Sequence, residues 1–179
     1  AENTLIGDAV AVKEEKDDRQ AWIFQCNTDH WDLDGALRNE DVIRWSVRQH
    51  GDEMSEGDTA YVWKSGEGAG IYAAGELTTG PEEMEDFPEH AKYYRNQPDK
   101  MKGKRILTEI DLRRMLLDTP VRRDRLKQIM PETEIIRSPQ RTNAALTKQE
   151  GDVLVGLTEH PEWQDARFGL LDRLMNLFG

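Results

Sequence analysis

The sequence predicts an α+β domain: a small, strongly curved β-sheet or open β-barrel with helices flanking it. Three observations carry this prediction. Gly57–Leu77, GDTAYVWKSGEGAGIYAAGEL, reads as two antiparallel strands, Thr59–Lys64 and Ile71–Leu77, around a glycine-rich turn. Several other short segments have strand character, so strands recur along the chain. Helical signals are fewer, and the clearest lies near the end. There Thr147 and Glu150 form a capping-box pattern ahead of Lys148–Leu157.

Taken in order, residues 1–20 form a polar N-terminal extension, a tail or a weak first strand around Ala9–Val12. Ala21–Gln25, AWIFQ, reads as a buried strand. Asn27 and Asp29 then turn the chain. Asp32, Asp34 and Asn39 are placed to cap short helical segments leading into Asp41–Trp45, and HGDEMSEG is a loop delivering the chain to the hairpin. Thr78–Asn96 is a long acidic connection carrying Pro81, Pro88, Tyr93 and Tyr94. Arg105–Leu112 alternates as a strand, with Ile106, Thr108 and Ile110 on one face. Pro120 is read as opening a helix that Thr119 caps and Pro131 ends. Ile135–Ile136 is read as a short strand and RSPQRTN as a polar loop. Residues 159–179 are an amphipathic helix or the start of a linker, with Phe168, Leu171, Leu174, Met175 and Phe178 at helical spacing. Residues 21–158 are the domain proper.

The 179 residues suit one domain. No apolar run approaches the ~20 residues that span a bilayer, and no signal-peptide core opens the sequence. Cys26 is the single cysteine, and the four His are scattered, so no disulfide and no metal-site spacing are expected. A cytoplasmic location without membrane partners is the default expectation. A net charge of -11 argues against indiscriminate nucleic-acid binding. Residues 102–141 nevertheless hold 11 Lys and Arg against 6 Asp and Glu. This is a basic face for phosphates, or a solvated helix of mixed charge. Lys104, Arg105, Arg122 and Arg123 are its candidate phosphate contacts.

No catalytic motif is visible: no GxSxG, Walker loop or HExxH. Asp32 and Asp34 are better helix caps than an acid–base pair. The concentrated signal is aromatic. Trp22, Trp31, Trp45 and Trp63 all fall within the first 63 residues, each but Trp22 beside polar or turn residues. Trp22 heads an apolar strand and belongs in the core. Trp63, at a strand end beside Ser65, is a core residue or the wall of a pocket for a planar ligand. Aromatic walls with a few hydrogen-bonding groups are what a base-reading pocket requires.

The stretches AWIFQCNTDHWDL, IRWSVRQH and EGDTAYVWKSGEGAGIYAAGEL, with YYRNQPDK, RILTEIDL and RTNAALTKQEGDVLVGL, resemble the EVE domain. This is a member of the PUA-like superfamily related to YTH readers. The central W-x-S-G-x-x-x-G-I-Y-A-x-G pattern is the specific part. The resemblance implies a bent β-barrel whose pocket accepts a modified base flipped from DNA or RNA. It also implies a non-enzymatic recognition module without a cofactor, of the kind joined to a nuclease or motor in modification-dependent restriction systems. The bases in question are methylated or hydroxymethylated cytosine, or methyladenine, in DNA first. Carried over by position, Trp45 and Trp63 are pocket walls. Asn27, Ser46, Arg48, Ser65 and Gly66 are polar or close-approach groups, and Trp31 and Tyr94 are further contributors. Many members have a Trp entering the strand after the YY region, where this chain has Lys104-Arg105. Three alternatives stay open: an RNA reader, a hydrolase-like enzyme acting on a nucleotide or small acyl substrate, and a protein-interaction module.

Overall fold

In a computed structural model, residues 18–96 and 103–164 are described. Eight strands form one curled sheet: β1 Ala21–Cys26, β2 Val42–Ser46, β3 Thr59–Lys64, β4 Gly70–Leu77, β5 Glu82–Met84, β6 Arg105–Met115, β7 Val121–Arg122 and β8 Asn143–Leu146. The helices are α1 Leu33–Asn39, α2 Arg123–Ile129, α3 Glu134–Arg137 and α4 Lys148–Glu159. The strand order is β2-β6-β4-β3-β1-β8, with β5 on β6 and β7 on β4. All pairings are antiparallel except β1 with β3. The result is a mixed, half-barrel sheet with flanking helices, the α+β class expected.

Side-chain alternation divides the apolar residues between the two faces of the sheet. Trp22, Phe24 and Cys26 of β1 and Ala60 and Val62 of β3 enter one core, which α1 covers with Leu33, Ala36 and Leu37. Ile23 of β1 and Tyr61 and Trp63 of β3 enter a second core, covered by Leu126, Ile135, Val153, Leu154 and Leu157 from α2, α3 and α4. Each fully buried aliphatic chain contributes roughly 1.5–3 kcal/mol. Asp58, just before β3, ties the starts of β1 and β3 together: it accepts from the Trp22 indole N–H at 2.8 Å and from the Ser55 amide at 2.9 Å.

Local signals held at both ends of the chain. Asp32 caps α1 by accepting from the Gly35 amide, and Thr147 with Glu150 closes the full capping box on α4. The β3–β4 hairpin forms over the expected residues, and β6 runs three residues beyond Leu112. Two local expectations are corrected. The helix expected from Pro120 starts only at Arg123, because Val121 and Arg122 first pair with Ile71 and Gly70 of β4. Ile135–Ile136 is helical, within α3, where Ile135 reaches the second core as part of a single turn after Thr133. The expected strand around Ala9–Val12 lies outside the described residues, as does the expected helix Trp163–Phe178 beyond Gln164. Pro161–Gln164 forms a 3-10 turn whose Trp163 stacks on His160 at 4.2 Å. No described helix is long and apolar enough to cross a membrane.

Candidate functional site

The ends of β1, β2 and β6 open onto a cleft of about 730 Å³. Trp45, next to last in β2, is its half-buried aromatic wall. The Trp45 indole N–H donates to the Gln25 carbonyl at 3.1 Å, which fixes the ring against β1. Trp31, only 3% exposed, meets Trp45 edge to face at 4.7 Å and backs it from the core side. Tyr94 lines the same cleft, tied by a backbone bridge to Trp31. Its hydroxyl donates to Asp86. Burial, and then the Asp86 carboxylate, push the phenol up to about 12, so it stays neutral.

The polar groups follow from the chain path after β2. The Arg48 and Gln49 amides both donate to the buried Asn143 side chain, at 2.6 and 3.1 Å. The Asn143 amide in turn donates to the Ser46 carbonyl at 3.0 Å. This clamp presents Ser46 and Arg48 at the cleft. Arg105, first in β6, reaches the Ser46 hydroxyl at 3.4 Å and the Tyr94 hydroxyl at 3.5 Å. Arg44 is held by Glu109 at 3.1 Å and lies 4.0 Å over the Phe87 ring. Among the described residues, the Arg48 guanidinium has no ion pair, and it faces solvent. Among the described residues, the lining thus includes three arginines and His30 and no Asp or Glu. On a chain of net charge -11, that concentration is local and specific.

A second, more polar cleft of about 610 Å³ lies on the other side of Asn27, which lines both. It takes in Ser65, Gly66, Lys64 and Arg122. Ser65 donates to the Cys26 carbonyl at 2.9 Å, closing the hairpin turn onto β1. Gly66 has φ +85°, which its lack of Cβ permits. Lys64 pairs with Asp34 at 3.6 Å. Cys26 is buried, and desolvation lifts its thiol to about 12, so it remains protonated.

The structure therefore brings Trp31, Trp45, Tyr94, Asn27, Ser46, Arg48 and Arg105 together, and places Ser65, Gly66 and Arg122 in the neighbouring cleft. It does not bring Trp63 to either. Trp63 is 3% exposed in the second core, because β3 turns Val62 to one face and Trp63 to the other. Trp45 and Trp63 stand on opposite faces of the sheet and cannot flank one ligand. Lys104 and Arg123 are exposed and line neither cleft. Sequence reading missed Arg44, His30, Ile106 and the Asn143 clamp. Asn143 lay in a stretch read as loop, and the others carried no local signal of convergence.

The family model for the EVE domain matches residues 20–157. The chain belongs to the EVE domain family. No curated protein matches this EVE domain in sequence. Among solved structures, a hypothetical protein from Leishmania major superposes with a TM-score of 0.58 at 14% identity, covering 81% of this chain and 98% of the other. The human THYN1 protein, solved in complex with DNA containing 5-methylcytosine, gives 0.56 at 16% identity, over 78% and 98%. The ASCH protein of Zymomonas mobilis gives 0.55 at 16% identity, over 79% and 97%. At these identities the likeness is one of fold, the PUA-like fold.

Proposed function

We propose that this EVE domain is a non-enzymatic reader of a modified base in DNA, and that the base is flipped into the Trp31–Trp45–Tyr94 cleft. The observation that carries the reading is the lining of that cleft: three aromatic rings and three arginines, with no carboxylate among the described residues that line it, on a protein of net charge -11. The THYN1 complex with 5-methylcytosine DNA supports it, since that protein shares the fold. Trp45 stacks on the base, while Ser46, Asn27 and Arg48 meet its polar edge. Arg105, Arg122 and the exposed Lys104 and Arg123 hold phosphates on either side. Phosphate contacts position the domain and the pocket specifies.

Stacking of one base on one ring is worth about 1–3 kcal/mol, and flipping costs a few. The isolated domain is therefore a modest binder, and a nuclease or motor partner supplies avidity in a modification-dependent restriction system. Fluorescence anisotropy with duplexes carrying one 5-methylcytosine, 5-hydroxymethylcytosine or N6-methyladenine, and their RNA counterparts, tests the reading. The expected result is selective binding of one modified DNA duplex that Trp45→Ala reduces by about tenfold or more without unfolding the domain. Equal affinity for modified and unmodified duplexes would overturn it, and stronger binding to modified RNA would move the substrate class.

A further inference from the structure

We propose that Ile106 is an apolar wedge that fills the gap left in the duplex when the base enters the cleft. The inference rests on the reading of the cleft as a base pocket and adds the means of extrusion.

Ile106 is 50% exposed, the most exposed large apolar side chain among the described residues. Isolated exposed aliphatics are ordinary, so exposure alone decides nothing. Its position does. Of the three such residues, Ile106 alone lines a cleft; Met115 and Val155 line neither. It also continues a row. Along β6, Leu112, Ile110, Thr108 and Ile106 share one face, and the first three are buried. Trp45 pairs with Thr108, and the Val47 amide donates to the Ile106 carbonyl at 3.1 Å. One step outward from the stacking wall, the inner face of the sheet thus runs out into solvent. The residue there is an isoleucine with no core left to fill.

A wedge must be stiff as well as apolar. Ile106 sits within β6, paired with Glu83 of β5 on one side and bonded to the post-β2 segment on the other. Arg105 beside it is tied to Ser46 and Tyr94. The β-branched chain has few rotamers. Proteins that kink or open a duplex insert such side chains between base steps to offset lost stacking.

The test compares three forms of the best-bound modified base from the panel above: paired in a duplex, opposite an abasic site, and single-stranded. Ile106→Ser should weaken binding to the paired duplex by about tenfold, since it raises the cost of opening, and change the two pre-opened forms by less than about threefold. Ile106→Leu, which keeps the wedge, should stay within about threefold on all three. Unchanged thermal unfolding checks that the exposed site tolerates serine. Equal losses on all forms would make Ile106 a general contact and overturn the proposal, as would no loss on the paired duplex. If the unaltered protein prefers no modified base in any form, the failure is that of the pocket itself and is visible without the variant.

Discussion

The side chain of Asn143, fully buried at the start of β8, accepts the backbone N–H of Arg48 at 2.6 Å across 95 residues of sequence. It also accepts from Gln49 and donates to Ser46, so one amide satisfies three backbone groups of the segment that leaves β2. Asn143→Ala should strand these groups, each worth about 1–3 kcal/mol when buried and unpaired. We expect a loss of about 2–4 kcal/mol in urea unfolding, together with weaker binding of the modified duplex. A variant as stable as the parent would show that the segment holds itself.

Trp63 and Trp45 should separate in experiment. Trp63 fills the second core beside Ile23, Tyr61 and Ile71, so Trp63→Ala should cost about 3–5 kcal/mol. Whatever fraction stays folded should keep its base preference. Trp45→Ala should do the reverse. Calorimetry and anisotropy on the same two proteins check both halves.

Glu134 predicts an acid-sensitive corner. Burial of this carboxyl acts to raise its pKa, but the Ala145 amide, His50 and then Arg141 outweigh it and hold it below the ordinary value of 4.5. The Glu134 oxygens lie 3.0 Å from His50 and 2.9 Å from Arg141. With the folded value depressed, the unfolded chain binds more protons between the two values, so stability rises with pH there. The contribution is complete above 4.5 and fades as pH falls through the folded value. The stability gap between the parent and Glu134→Gln, measured by urea unfolding across pH 3 to 7, should therefore shrink at the acid end. A constant gap would mean the ionised form is not what the corner uses.

Gly75 lies where β4 passes β6, and a Cβ there would stand 2.2 Å from the Asp111 carbonyl oxygen. Backbone cannot move aside as a side-chain tip can. Gly75→Ala should thus destabilise by about 1–3 kcal/mol, despite reducing the entropy of the unfolded chain. The melting temperature is the readout, and a rise would contradict the close approach.

Salt dependence tests the proposed phosphate contacts. Log affinity should fall linearly with log salt, by about 0.9 per phosphate neutralised. Arg122→Ala with Arg123→Ala should flatten the slope by up to about two such units and leave the choice of base unchanged. An unaltered slope would confine the phosphate contacts to Lys104 and Arg105.

Features that depend on neighbours along the chain were legible before folding. The Thr147–Glu150 box, the Asp32 cap and the glycine turn between β3 and β4 each depend on atoms within a few residues, and each formed where the residues called for it. The alternation of Ile106, Thr108 and Ile110 was equally legible, because strand geometry sends every second side chain to one face. The aromatic and polar residues of the proposed base pocket, Trp31, Trp45, Ser46 and Arg48, also stand out in the sequence.

Which face meets which core depends on contacts between distant segments. Trp63 carries the same local signals as Trp45: a strand end, an aromatic ring and a polar neighbour. The two differ because β3 runs through the middle of the sheet, with helices covering Trp63, while β2 lies at the sheet's edge and leaves Trp45 half open. Likewise, β7 displaced the start of an expected helix because Gly70 and Ile71, some fifty residues earlier, offered their backbone groups. Arg44, Arg48 and Arg105 line one cleft because β2 pairs with β6, an encounter between segments about sixty residues apart. Such encounters are selected by burial of the whole core, so no stretch of the chain announces them alone.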